Sequence, residues 1–239
     1  QGVVAGSAAP ALHRSQWVDP DVNIELIHAN HRAPQGVLTR HETLLPGETT
    51  RVRGLLVTSL ERTAFDLARR GPVVHAVQRL DALAAATNFS TDEVRALAAR
   101  HPGVRGCRRV GALLDLVDAG AQSPQETWWR MQFLATGYPR PRCQQLVLGP
   151  GGWPRYYLDM AWPQFMVAAE YDGEQHRLDR RQYGGDIKRS EHIAAGRWQR
   201  IRIIAGDRVN DVCHRLEAAG LCATCEPPAI LRQSKGVWR

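Results

Sequence analysis

Asp159, Glu170 and Asp172 are the residues whose types and spacing point most directly to chemistry. They fall in two short β-patterns. Residues 156–162 alternate Leu158, Met160 and Trp162 against Tyr157, Asp159 and Ala161. Residues 165–172 alternate Phe165, Val167, Ala169 and Tyr171 against Met166, Ala168, Glu170 and Asp172. Pro163 and Gln164 between them suit a two-residue hairpin loop. With that loop Asp159 faces Ala168 and Tyr157 faces Glu170, so all three acids project from one side of the sheet. Asp159 and Glu170 are then diagonal neighbours, with Cβ atoms roughly 7–8 Å apart. Two carboxylates so spaced can lean onto one divalent cation, and three on one face are costly unless solvent, metal or base compensates them. A solvated outer face carries acids as a matter of course. Here, however, Met166 and Ala168 share the face, and MVAAEYDG reads as a largely buried strand that ends in acid.

The elements that must position these acids follow from the flanking sequence. Ser123, Pro124 and Glu126 open a helix over SPQETWWRMQFLATG, with Ser123 as N-cap, Pro124 at its first position and Gly137 as its end. Ser123-x-x-Glu126 is a capping box, which needs no function. The same glutamate is also a candidate for the acid site, if the following strands bring the helix start beside the hairpin. Residues 143–148 read as a strand and GPGGWP as a turn into the acidic hairpin. A basic, histidine-bearing loop over 173–182 leads to a helix stopped by Gly196. A strand over 198–204 and a last helix closed by Gly220 complete the order. Upstream, residues 23–28, 36–40 and 55–58 read as short strands. Ser59 caps a helix through Arg70, and further helices cover 72–86, 91–100 and 110–117. This half shows no catalytic constellation. His28, His31 and His41 match no tight metal spacing and read as surface histidines. Arg105, Arg108 and Arg109 read as a solvated loop, with phosphate contact as the functional alternative.

Net charge is +7, carried by 29 arginines and two lysines, Lys188 and Lys235. After residue 120 there are 17 basic and 12 acidic residues, so the excess sits with the acidic hairpin. A basic surface around an acidic pocket suits a polyanion, and the planar fork of arginine suits phosphate. The five cysteines are scattered and read as reduced thiols. Cys222-x-x-Cys225 has knuckle spacing, with Cys213 and His214 the candidates to complete it, but reads as ordinary thiols in a tail. No apolar run approaches the roughly 18 residues of a membrane span. No signal-peptide pattern opens the sequence, and its start at Gln1 in place of Met reads as a fragment or processed product, with further sequence expected upstream. A soluble, cytoplasmic protein is expected.

The order α-β-β-β-α-β-α from residue 123, with Asp in the second strand and Glu-x-acid in the third, resembles the PD-(D/E)XK nuclease core. EYDGEQH, DIKR and RWQRIRI resemble more narrowly the branch related to very-short-patch-repair endonucleases. This likeness covers about residues 121–219. The upstream GLLVTSLERTAFDLARRG resembles the AbiEi-type antitoxin or regulator region often fused before such a domain, usually with a winged helix earlier still. The expected fold is α/β (α+β). A mostly helical accessory domain with a few short strands spans 1–120, a restriction-endonuclease-like αβββαβ core with a mixed sheet spans 121–220, and a tail spans 221–239. The resemblance implies that Asp159 and Glu170 are the motif acids, Glu126 the first-helix acid and His176 the histidine of the branch. Asp172 stands where the family has lysine and Leu158 where it has proline, so water activation would pass to His176 or a metal-bound hydroxide.

The function so implied is a metal-dependent DNA endonuclease of repair or defence. Asp159, Glu170 and Glu126 would hold Mg²⁺ or Mn²⁺, with Asp172 assisting. Arg177, Arg180, Arg181, Lys188 and Arg189 would hold the nucleic-acid backbone, and Asp186 would orient one of those bases. DNA is favoured over RNA, a toxin or other protein partner is possible, and no membrane is expected. The alternative is a non-catalytic DNA-binding regulator or antitoxin partner that keeps the nuclease fold.

Overall fold

The computed structural model describes residues 2–18, 23–29, 33–149, 152–173, 192–193 and 196–232. The chain divides into two compact units, residues 1–119 and 120–235. Both mix helix with mixed sheet, the α+β class expected from the sequence.

In the first unit, β1 (Val3–Ala5), β2 (Ile24–Ile27), β3 (Val37–Arg40), β4 (Thr49–Val52) and β5 (Leu55–Thr58) form a sheet in the order β3-β2-β1-β5-β4. β1 runs antiparallel to β2 and parallel to β5, β2 runs parallel to β3, and β4 runs antiparallel to β5. β1 and β4 were not legible in the sequence, because one is three residues long and the other is the largely exposed TTRV. A short α1 (Ala9–Leu12) and then α2 (Leu60–Arg69), α3 (Val73–Thr87), α4 (Thr91–Ala99) and α5 (Val110–Leu114) supply the helical layer. α2 starts where the Ser59 hydroxyl accepts the Arg62 amide at 3.3 Å. It buries Phe65 and Leu67, while α3, α4 and α5 bring Leu80, Leu83, Val94 and Leu113 to the core.

α2 also buries charge. The Arg62 side chain is 2 % exposed and donates to Glu48 at 2.6 Å, Asp66 at 3.1 Å, Glu42 at 2.8 Å and the Thr43 carbonyl at 2.9 Å. Arg69 bridges Asp66 and Glu42, Arg70 joins Glu42 and Glu25, and Arg40 closes on Glu25. Glu48 also holds Arg100 and His101, each at 2.7 Å. Phe65 lies beneath both Arg62 and Arg69, with guanidinium carbons 5.7 and 5.3 Å from its ring centre. Gly106 seals one side at a φ of +81°, where a Cβ would come within 2.1 Å of the Arg69 carbonyl oxygen. No side-chain-bearing residue fits there.

In the second unit, β6 (Arg142–Leu148), β7 (Pro154–Trp162), β8 (Val167–Asp172) and β9 (Gln199–Ile204) form a sheet in that order. Its first two pairings are antiparallel and the last is parallel. α6 (Pro124–Ala135) and α7 (Val209–Ala218) pack on one face, where Trp129, Phe133, Val212 and Leu216 meet Met160, Trp162, Ala169 and Ile203. Leu158, Ala161 and Ala168 join Val147 and Ile193 in a second cluster. Residues 221–232, expected as part of a tail, are integrated here. Leu221 is fully buried, the Cys225 amide donates to the Gly137 carbonyl at 2.9 Å, and α8 (Ala229–Arg232) buries Leu231.

The hairpin departs from the expected register. Pro163–Phe165 forms a 3-10 turn and Met166 takes a φ of +54°, so the connection has four residues instead of two. The pairs are Met160–Ala169, Ala161–Ala168 and Trp162–Val167, a shift of two. An even shift keeps each side chain on its face but turns a diagonal neighbour into a direct one.

The buried ionic cluster yields the first prediction. Arg62→Ala removes the guanidinium that Glu42, Glu48 and Asp66 share, leaves each with fewer cations in a buried setting, and should lower stability by about 3 kcal/mol in urea unfolding of the full chain. Desolvation pushes the Glu48 pKa up, but hydrogen bonds from His101, Arg100 and Arg62 outweigh it and hold the carboxyl at about 2, below its ordinary 4.5. Its contribution is therefore present above pH 4.5 and lost as the pH falls toward 2. Glu48→Gln should flatten that acid limb.

Candidate functional site

Extending the β7–β8 register by one step places Asp159 directly across from Glu170. On the other side, Gln144 lies between the pairs Cys143–Met160 and Gln145–Leu158, and so across from Asp159. Gln144 has a φ of +49°, rare for a residue with a side chain, and marks a local distortion of the strand pair. Strict alternation fails at the same level of β7. Leu158 packs in the cluster with Ala161 and Ala168, whereas Met160 belongs to the cluster under α6. The expected stripe of Leu158, Met160 and Trp162 is therefore split at Asp159. There the Asp159 carboxylate accepts the Tyr171 amide at 3.0 Å, taking a hydrogen bond that a regular ladder would give to a backbone carbonyl.

Glu126 approaches this row from the start of α6. Its amide donates to the Ser123 hydroxyl at 3.1 Å, and its carboxylate accepts the Gln122 amide at 2.9 Å and the Gln144 side-chain amide at 3.4 Å. The capping box thus forms, with the reciprocal bond reaching one residue beyond the N-cap, and the same carboxylate touches the residue opposite Asp159. Burial raises the Glu126 pKa, with the bonds from Gln122, Ser123 and Gln144 opposing that shift.

The two acids of β8 are matched by cations of β9. Glu170 accepts Arg200 at 3.1 Å, with side chains 10 % and 14 % exposed, and Asp172 pairs with Arg202. Sequence reasoning missed these pairs and Gln144. The signal was present as Glu170-x-Asp172 matched by Arg200-x-Arg202, two alternating sets on strands that run parallel with Glu170 opposite Arg202. Only the parallel pairing makes it readable. Among the described residues, no group of three or more His, Cys, Asp and Glu side chains is placed to hold a metal ion. Cys222 and Cys225 are exposed free thiols. His176, Arg177, Arg180, Arg181, Lys188, Arg189 and Asp186, with His31 of the first unit, lie outside the described residues. Among the described residues, no helix is long and apolar enough to cross a membrane.

The comparison with known families falls on the first unit. Residues 4–116 match the AbiEi antitoxin C-terminal domain. The resemblance read from GLLVTSLERTAFDLARRG, residues 54–71, holds for that region, and the match runs from within β1 through α5. Two proteins of Mycobacterium tuberculosis are 33 % identical to the chain over 122 residues. They are Uncharacterized protein MT2308 of strain CDC 1551 / Oshkosh and Uncharacterized protein Rv2248 of strain ATCC 25618 / H37Rv. The match takes in 51 % of this chain and 45 % of those relatives, so it spans less than half their length. No solved structure matches.

The two roles of Glu126 separate by substitution. Ser123→Ala should cost about 1 kcal/mol of stability, as loss of a helix cap does. Glu126→Gln retains the hydrogen-bonding atoms of the cap and removes a buried charge. With a raised folded pKa, stability linked to Glu126 declines as the pH rises through the range above 4.5. The glutamine variant should therefore match or exceed the parent at pH 7 by urea denaturation.

Proposed function

We propose that the chain is a nucleic-acid-binding regulator of the toxin–antitoxin kind, whose second unit keeps a nuclease-like sheet for binding rather than hydrolysis. The observation that carries this reading is the pairing of Arg200 with Glu170 and of Arg202 with Asp172. Each acid of β8 already has a counter-cation, Asp159 is engaged by the Tyr171 amide, and Glu126 is engaged by its helix cap. A Mg²⁺ or Mn²⁺ ion at this row would have to draw a carboxylate away from Arg200, Arg202 or the Tyr171 amide and take its remaining ligands from water and substrate phosphate. The antitoxin-domain match of residues 4–116 supports the regulatory role. DNA is the favoured polyanion. Arg177, Arg180, Arg181, Lys188 and Arg189 supply the phosphate contacts, and a toxin is the protein partner.

A second reading, metal-dependent phosphodiester hydrolysis, is favoured by one observation. The register sets Asp159 beside Glu170, with Gln144 and Glu126 next in line.

A single experiment separates the two. The protein is titrated with duplex, single-stranded and branched DNA and with RNA across a salt series, with and without Mn²⁺, beside Asp159→Ala. Roughly four to six phosphate contacts give a log–log salt slope of about −4 to −5 on duplex DNA. The regulator reading expects that slope, equal binding with and without Mn²⁺, and intact nucleic acid. Mn²⁺-dependent cleavage abolished by Asp159→Ala establishes the second reading instead, and a flat salt response removes both.

A further inference from the structure

The first unit carries a groove of about 380 Å³ lined by the buried Val3 and Ile27 with the half-buried Leu44, and by the more exposed His28, Ala29, Arg40, His41 and Glu42. β2 and β3 run parallel, with Ile27 beside Arg40, and the His28 amide donates to the Arg40 carbonyl at 3.1 Å. One further step of that register brings His28 beside His41, at the carboxyl ends of two parallel strands. The sequence alone separates these residues and leaves both as surface histidines. The groove falls within the size range of small-molecule sites, and it combines an apolar lining with a few converging polar groups. Parallel strands in α/β sheets commonly present ligands at this end.

Charge favours an anion. Glu42 also lines the groove, but Arg62, Arg69 and Arg70 all close on it. Burial raises its pKa, and the arginines more than reverse that, so it stays a carboxylate whose charge is answered from behind. Across the cluster below, the five guanidiniums of Arg40, Arg62, Arg69, Arg70 and Arg100 answer the four carboxylates of Glu25, Glu42, Glu48 and Asp66. The balance is one positive charge in surplus, before either groove histidine is counted. Imidazole N–H groups and a guanidinium donate to phosphate oxygens, and the apolar lining of Val3, Ile27 and Leu44 suits a flat, weakly polar group such as a base.

We infer that this groove binds a phosphate monoester joined to an aromatic base, with the phosphate among His28, Arg40 and His41 and the base against Ile27 and Leu44. The ligand is either a free nucleotide or the phosphorylated end of a nucleic-acid strand. The site belongs to the antitoxin-like unit and is independent of the acids of the second unit.

The test is calorimetry on the full chain with adenosine monophosphate, adenosine, inorganic phosphate and a 5′-phosphorylated trinucleotide beside its unphosphorylated form. Adenosine monophosphate should bind at least tenfold more tightly than adenosine or phosphate alone. The double substitution His28→Asn, His41→Asn should weaken it at least tenfold. Ala29→Trp, at an exposed residue that lines the groove, should do the same by filling it, with circular dichroism unchanged. Preference of the phosphorylated trinucleotide over adenosine monophosphate assigns the site to a strand end, and the reverse assigns it to a free nucleotide. Equal binding of adenosine and adenosine monophosphate, or unaltered binding by both folded variants, overturns the inference. Salt-dependent binding of long duplex DNA is measured on the same variants and should persist, which keeps this outcome separate from that of the regulator reading.

Discussion

A guanidinium cannot shed its charge, so once Arg62 is withdrawn from water the protein must build carboxylates around it. Much of the first unit can be read from that constraint. Glu48 arrives just before β4, Glu42 from the segment after β3, and Asp66 from one turn further along α2. Each acid recruits further cations in turn, so the cluster spreads to Arg40 at one end and to Arg100 and His101 at the other. Such a lattice adds little net stability over an apolar core but penalises any arrangement that leaves a member unpaired. It specifies how the sheet, α2 and the loop after α4 must meet.

The second unit solves a different problem. Its sheet has to accommodate a distortion where Gln144 takes a left-handed backbone and the side-chain pattern of β7 changes face. An amide left without a carbonyl partner would be expensive, and the Asp159 side chain supplies the acceptor. The residue most suggestive of catalysis thus has a structural occupation as well. Glu126 has the same double character, fixed by its cap and yet in contact with Gln144. Which role dominates depends on charge balance along β8 and β9, where arginines stand next to the acids.

Much of this was legible in the sequence. Ser59 and Ser123 announced their helices through capping chemistry; each hydroxyl accepts the amide three residues on, and that of Ser90 does the same for α4. β5 and the strands carrying the acids showed in their apolar spacing. The four-residue turn did not show, because Pro163 permits either a tight hairpin or a 3-10 turn and only the left-handed Met166 decides. Pairings between distant segments were also hidden. Nothing local to Glu170 names Arg200 as its partner, and nothing local to His28 names His41. Buried arginines are misread for the same reason. Hydropathy assigns Arg62 and Arg69 to solvent, and only their assembled partners make burial tolerable.

Gly106 gives the charged cluster a one-letter signature. Its backbone lies against the Arg69 carbonyl at a distance no Cβ allows. A relative with any other residue at that place must therefore move the loop after α4 away from α2. Its arginine would lose the enclosure that keeps it dry, and the acids around it would face water. A glance at this position should thus sort proteins that share the ionic core from those that share only the outline of the fold. The same glycine tells a protein engineer where an insertion or a label would be least forgiving, although it bears no functional group at all.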